Sequence, residues 1–246
     1  MNIAIIFAGG TGKRMKNDGA PKQFLNLFGE PILVHTVKKF QNSPLVDKII
    51  IVMLSDYINS TKDLMEKYSL DKVISVVPGG GSGQESIYNG LDEAVRLFGD
   101  NNIVLIHDGV RPYFENDLIG RCIDSVKRYG SAISVSPSNE TVACVKNNEI
   151  VSTTIRSESY FARAPQCFYL SDIYNSHLKA RNEGVDNIID SCSMMLKYGD
   201  KTLHTVQTCP ENIKITTPID YYLMRAIIEA QDGLEAPRAD LGDFLK

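Results

Sequence analysis

Asn2-Ile3-Ala4-Ile5-Ile6-Phe7-Ala8 runs without a break into Gly9-Gly10-Thr11-Gly12-Lys13-Arg14-Met15. The first half is an apolar run of strand length, and the second is a glycine-rich turn that carries two cations. Glycines placed there let backbone N–H groups approach an anion closely. A strand that ends in such a turn opens a parallel α/β sheet, and the ligands of such sheets sit at the carboxyl ends of the strands.

Two common loops of this kind fail on particular residues. A Walker A loop needs glycine where Phe7 stands and Ser or Thr where Arg14 stands. A dinucleotide fingerprint starting at Gly10 needs glycine at position 15, which is Met15. What remains is a turn presenting Lys13 and Arg14, followed by Pro21-Lys22-Gln23. Three cations so placed suit a triphosphate; a turn with solvated charges is the plainer alternative.

Outward from this loop, apolar strands alternate with amphipathic helices. Strands are expected at 2–7, 48–53, 72–77 and 102–106, with helices at 32–40, 56–68, 86–98 and 118–129. Gly130 suits the C-cap of the last. The rhythm breaks between residues 136 and 163. There 141–145 and 150–155 flank Lys146-Asn147-Asn148-Glu149, a β-hairpin arm set into the α/β body. Strands near 166–169, 203–207 and 212–216 follow, with helices near 171–182 and 187–197. Thr217-Pro218 supplies an N-cap and first residue for a final helix. One domain over 1–231 with an arm at about 136–163, and a polar tail over 232–246, is the expected organisation. The fold class is α/β, a Rossmann-like and mostly parallel sheet with helices on both faces.

The 246 residues are 43% hydrophobic and 23% charged, which excludes a mainly disordered chain. A net charge of −4 advertises neither nucleic acid nor an anionic membrane as partner, so the positive groups that meet an anionic ligand must be local. The longest apolar runs, Ile3 to Ala8 and Ile49 to Leu54, are far short of a membrane span. Five cysteines without a CxxC pair and four scattered histidines argue against a disulfide framework and a structural zinc site. A cytoplasmic protein is the default expectation.

Four further segments accompany the first loop: Pro21-Lys22-Gln23-Phe24; Gly79-Gly80 with Ser86-Ile87 and Gly90-Leu91; His107-Asp108-Gly109-Val110-Arg111-Pro112; and Asn212-Ile213-Lys214-Ile215-Thr216. In this order and spacing the chain resembles, from about residue 2 to 228, the cytidylyltransferases that activate sugar-alcohol phosphates. The resemblance implies attack by a phosphomonoester oxygen on the α-phosphorus of CTP, with loss of pyrophosphate. A phosphomonoester is largely dianionic at neutral pH and needs no general base, which accounts for the missing nucleophile and triad.

By resemblance, Arg14 and Lys22 stabilise charge around the transferred phosphate. Lys214 orients the attacking phosphate. Ala8, Gly9, Gly10, Thr11 and Gly12 cradle the triphosphate, and Gly79, Gly80 and Ser86 hold cytosine. Asp108 binds Mg²⁺, the implied cofactor. Thr141 and Arg156, at the roots of the arm, reach the acceptor phosphate of a second subunit, which implies a homodimer. Apart from the resemblance, Ser86 reads equally as a helix N-cap, Lys214 as a solvated strand lysine, Arg111 as a salt-bridge partner, and His107 and His35 as packed residues.

The first loop, with Gly9 where the isoprenoid branch often has alanine, resembles the ribitol-phosphate branch. Asp190-Ser191-Cys192 and Tyr160-Phe161 resemble it too. Ribitol 5-phosphate is therefore the favoured acceptor, with 2-C-methyl-D-erythritol 4-phosphate as the alternative and a non-catalytic nucleotide-binding protein as the remote one. Departures from the family pattern fall at Gly83, Glu140, Ala164 and Glu211.

Overall fold

The computed structural model describes residues 1–10 and 21–231. Thr11, Gly12, Lys13 and Arg14, together with the tail over 232–246, lie outside the described residues. The strands are β1 (Asn2–Ala8), β2 (Asn26–Leu27), β3 (Glu30–Pro31), β4 (Lys48–Met53), β5 (Val73–Pro78), β6 (Ile103–Asp108), β7 (Ser131–Pro137), β8 (Ala143–Lys146), β9 (Glu149–Thr153), β10 (Tyr160–Tyr169) and β11 (Thr205–Gln207). The helices are α1 (Ile32–Gln41), α2 (Ile58–Lys67), α3 (Gly83–Phe98), α4 (Leu118–Tyr129), α5 (Leu170–Asn182), α6 (Ser191–Tyr198) and α7 (Pro218–Gln231).

Seven strands form one sheet in the order β11-β7-β10-β6-β1-β4-β5. All neighbours are parallel except β10, which runs antiparallel to both β7 and β6. Both faces are covered, which is why β1 and β4 read as unbroken apolar runs rather than alternating ones. Ala4, Ile6, Ile49 and Ile51 pack toward α1, α2 and α4. Ile3, Ile5, Ile50 and Val52 pack toward α3, α5 and α6. Gly90 lets α3 lie close on the sheet: a Cβ there would stand 2.6 Å from Ile5 Cγ2 and 2.8 Å from Val52 Cγ2.

The arm is the tip of a longer antiparallel pair. β7 leads out to the β8–β9 hairpin, and β10 returns beside β7. Asn147 and Asn148 turn the hairpin with φ of 50° and 64°, the left-handed values that a tight hairpin turn needs.

Three local expectations are corrected. Residues 131–137, to which no element was assigned, form the strand β7. Its serines hide it, because Ser134 Oγ and Ser131 Oγ are buried and satisfied by the Pro165 and Thr202 carbonyls. Residues 212–216 form no strand; among the described residues the segment's one backbone bond to a neighbouring strand end is Ile215 N–H to the Val110 carbonyl, and side chains of Lys22 and Arg111 hold its Ile215 and Asn212 carbonyls. The Thr217 hydroxyl does not cap α7, since among the described residues its Oγ1 makes no hydrogen bond; the Asp220 carboxylate instead accepts from the N–H groups of Thr216 and Thr217.

Candidate functional site

Elements from five places converge at the carboxyl edge of the sheet, where β1 diverges toward β4 on one side and β6 on the other. They enclose a cavity of about 590 Å³. Ala8, Gly9 and Gly10 come from the end of β1, Gly80 to Gly83 and Ser86 from the start of α3, and Asp108 from the end of β6. Lys22 and Gln23 come from a single 3-10 turn, Lys214 and Thr216 from the extended segment before α7. This is the crevice where open α/β sheets bind ligands.

The glycine side is built around one hydroxyl. Ser86 Oγ accepts from the Gly80 N–H at 3.0 Å and donates to the Ser82 carbonyl at 2.9 Å. A Cβ on Gly79 would stand 3.0 Å from that oxygen, a contact tight enough to push the Ser86 hydroxyl aside. The capping role offered for Ser86 falls to Ser82, whose Oγ accepts from Glu85 N–H. The helix begins at Gly83, three residues earlier than its apolar face predicts, because its first turn is polar.

The cationic side is an ion triad. Lys214 Nζ lies 2.5 Å from Asp108 Oδ1, and Arg111 Nε donates to Asp108 Oδ2 at 3.1 Å. Burial pushes the Asp108 carboxyl up, but Lys214 and Arg111 more than reverse this and hold it at about 2. Arg111 Nη1 donates to the Asn212 carbonyl at 2.6 Å, which ties the segment bearing Lys214 to the end of β6. Lys214 itself is over one-third exposed and lies over the Phe7 ring at 5.5 Å, so it faces the cleft. Arg111 is thus a salt-bridge partner that also places its neighbours.

Lys22 is buried, with Nζ donating to the Ile215 carbonyl at 2.8 Å. Gln23 Nε2 donates to the Ala8 carbonyl at 2.5 Å, locking the 3-10 turn to the end of β1. His107 is a packed residue, as expected: it lies between Phe40 and Phe114, shares a 3.0 Å hydrogen bond with the Arg111 carbonyl, and is held neutral at about 4 by burial. His35 likewise bonds the Leu27 carbonyl.

Arg156 Nη2 donates to Thr141 Oγ1 at 2.9 Å, so the arm roots meet each other, but both are exposed and neither lines the cavity of its own chain. Asp190-Ser191-Cys192 lies outside the cavity lining: Asp190 caps α6 and accepts from Gln166 Nε2, whose Oε1 accepts from Cys192 N–H. Gln23 and Asn212 are positioning residues that no role was predicted for. Their signal was faint, a single amide side chain within two residues of a motif lysine in each case.

Among the described residues no group of three or more His, Cys, Asp or Glu side chains could hold a metal by itself. Asp108 fits a metal carried in by phosphates: it is one ionised carboxylate at the cavity wall, and Mg²⁺ on a nucleotide commonly uses one or two carboxylates plus phosphate oxygens.

Residues 2–230 match the family model described as IspD: 2-C-methyl-D-erythritol 4-phosphate cytidylyltransferase. The ribitol-5-phosphate cytidylyltransferase of Vibrio parahaemolyticus is 45% identical, over 96% of this chain and 99% of its own. The 2-C-methyl-D-erythritol 4-phosphate cytidylyltransferase of Clostridium acetobutylicum is 37% identical, over 93% of this chain and 98% of its own. The crystal structure of 4-diphosphocytidyl-2C-methyl-D-erythritol synthase from Anaerococcus prevotii superposes with a TM-score of 0.79 at 27% identity, covering 93% of this chain and 98% of that one.

Proposed function

The chain belongs to the 2-C-methyl-D-erythritol 4-phosphate cytidylyltransferase (IspD) family, and from that premise we propose that it transfers cytidylate from CTP to D-ribitol 5-phosphate, giving CDP-ribitol and pyrophosphate. The observation that carries the reaction class is the pairing of a glycine-walled pocket around Ser86 with the Asp108–Lys214–Arg111 triad across one cavity. One wall offers backbone donors, the other offers cations. The higher identity to the ribitol enzyme over nearly the whole chain supports the acceptor. 2-C-methyl-D-erythritol 4-phosphate is the second reading, favoured by the family description.

Catalysis on such a site is positioning and charge neutralisation. The backbone of Ala8, Gly9 and Gly10 faces the triphosphate; Thr11 and Gly12, given the same role by the family resemblance, lie outside the described residues. Lys22 and Arg14 meet the charge that develops at the transferred phosphorus and on the departing pyrophosphate. Gly79, Gly80 and Ser86 hold cytosine, for which the Ser86 hydroxyl, bonded to Gly80 and Ser82, retains a lone pair. Lys214 leaves its contact with Asp108 to orient the acceptor phosphate. Asp108 would hold Mg²⁺, which when bound shields the phosphate oxygens. No residue needs to take a proton from a phosphate that is already dianionic.

The arm suits a homodimer. Val145 and Ile150 pair across the hairpin, Val151 points to its other face and Ile155 stands at its root; all four are 60–70% exposed, apolar surface that a second copy would cover. A second copy docked there would bring Thr141 and Arg156 to its neighbour's acceptor. Ile150→Asp should shift the protein toward monomer in sedimentation velocity and lower turnover with it; an unchanged dimer would remove the arm from the interface. No helix among the described residues is long and apolar enough to cross a membrane. The reaction itself is tested by pyrophosphate release with ribitol 5-phosphate and CTP, UTP or ATP in turn. CTP should be strongly preferred, with CDP-ribitol identified by mass; equal use of UTP would overturn the cytosine pocket.

A further inference from the structure

Arg163 stands where the ladder between β7 and β10 is interrupted. Ala162 pairs with Val135 and Gln166 with Ile133, so residues 163–165 bulge out opposite Ser134. A bulge re-aims the side chains it carries. Two contacts place this bulge at the acceptor side of the site. Gln166 pairs with Ile106 on β6, so continuing that register brings Ala164 level with Asp108. The Asn212 amide donates to the Ala164 carbonyl at 2.8 Å, while the Asn212 carbonyl takes the Arg111 guanidinium at 2.6 Å.

The guanidinium of Arg163 is half-buried and only partly used. Its Nε donates to Ser136 Oγ at 2.9 Å, and its plane lies 5.1 Å from the Phe161 ring centroid. Among the described residues no carboxylate pairs with it, and the nearby charge is that of Arg111. Burial, and then Arg111, push its pKa down, so the fold holds this cation at a cost. Arg111 and Lys214 share Asp108 as their one carboxylate. Adding Arg163 leaves this corner with a formal excess of two positive charges, the complement of a phosphomonoester dianion.

We infer that Arg163 is a further acceptor-binding residue, its two terminal nitrogens binding phosphate oxygens of the polyol phosphate. The inference rests on the functional reading above. Arginine suits the task because its planar fork matches two phosphate oxygens at once, and Ser136 together with Phe161 fixes the direction of the fork.

The test uses the full chain and whichever polyol phosphate the wild-type enzyme consumes. Arg163→Gln should raise the KM for that acceptor by about 10- to 100-fold, the worth of a charge-assisted hydrogen bond. The kcat and the KM for CTP should stay within about threefold. Arg163→Lys should recover part of the loss, since it restores the charge but not the fork. A folded Arg163→Gln enzyme with an unchanged acceptor KM overturns the inference. So does a parallel rise in both KM values with a lowered melting temperature, which would mark Arg163 as a structural pin between β10 and β7. If the wild-type enzyme releases pyrophosphate with no polyol phosphate, the functional reading fails and this inference falls with it. If the wild type turns over and Arg163→Gln matches it, only the inference fails.

Discussion

Replacing Asp108 by asparagine removes one charge and almost no volume, so its cost isolates the ion triad. Asp108 is 6% exposed, with Lys214 Nζ at 2.5 Å from one oxygen and Arg111 at 3.1 Å from the other. Burial pushes its carboxyl up, but the two cations hold it at about 2 against an ordinary 3.8. A depression of that size stabilises the folded state by about 2 kcal/mol at neutral pH. The folded pKa lies below the unfolded one. The stabilisation is therefore complete well above pH 3.8 and is lost as the pH falls through 3.8 toward 2. Asp108→Asn should unfold in urea with about 2 kcal/mol less stability than wild type at pH 7, roughly a 4–8 °C drop in melting temperature for a chain of this size. By about pH 3 the gap should have shrunk to about half, because the wild-type carboxylate is then titrating while the amide does not. Paired urea titrations at pH 7, 5, 4 and 3 measure it. A gap of constant size across that range would refute the charge argument, and no gap at pH 7 would refute the stabilising role of the triad.

Lys22→Ala should lower kcat by roughly 10²–10³, and the lost charge-assisted bond to the Ile215 carbonyl costs about 1.5–3 kcal/mol of stability. Near-normal turnover in the folded variant would remove Lys22 from the chemistry. Gly90→Ala should destabilise by about 1–3 kcal/mol, because the added methyl meets branched methyls of Ile5 and Val52 at 2.6 and 2.8 Å. A melting temperature at or above wild type would show that α3 can lift off the sheet freely. His177 is buried, its ring nitrogens make no hydrogen bond among the described residues, and burial followed by the Arg181 charge holds it at about 4. The unfolded chain protonates it near 6.5, so stability should fall as the pH drops from 6.5 toward 4. His177→Phe should flatten part of that fall, and a curve parallel to wild type would contradict the assignment.

The α/β body was legible because its signals are local. β1 and β4 are apolar on both faces, α4 repeats its apolar face and ends at Gly130, and Asn147-Asn148 tolerates the positive φ that the hairpin turn takes. β7 was not legible, since its buried serines find their partners on β10 and in the segment before β11, contacts no window of sequence contains. Lys214 illustrates the converse. The alternation Ile213-Lys214-Ile215 reads as a strand, and it is an extended segment held instead by Val110 and by Lys22. Lys22, Lys214 and Asp108, far apart in sequence, line one cavity. What ties them together, Arg111 to Asn212 and Gln23 to Ala8, spans distances in sequence that only the fold closes.

The central claim is a cytidylyl transfer to ribitol 5-phosphate, and the most direct test is a head-to-head comparison of acceptors. Pyrophosphate release would be followed with saturating CTP and Mg²⁺, and kcat/KM determined separately for D-ribitol 5-phosphate and 2-C-methyl-D-erythritol 4-phosphate. The account predicts a kcat/KM for ribitol 5-phosphate higher by at least about 100-fold, the discrimination available to a site that hydrogen-bonds its substrate's oxygens. A preference for 2-C-methyl-D-erythritol 4-phosphate would contradict the acceptor, and no release of pyrophosphate with either would contradict the claim itself.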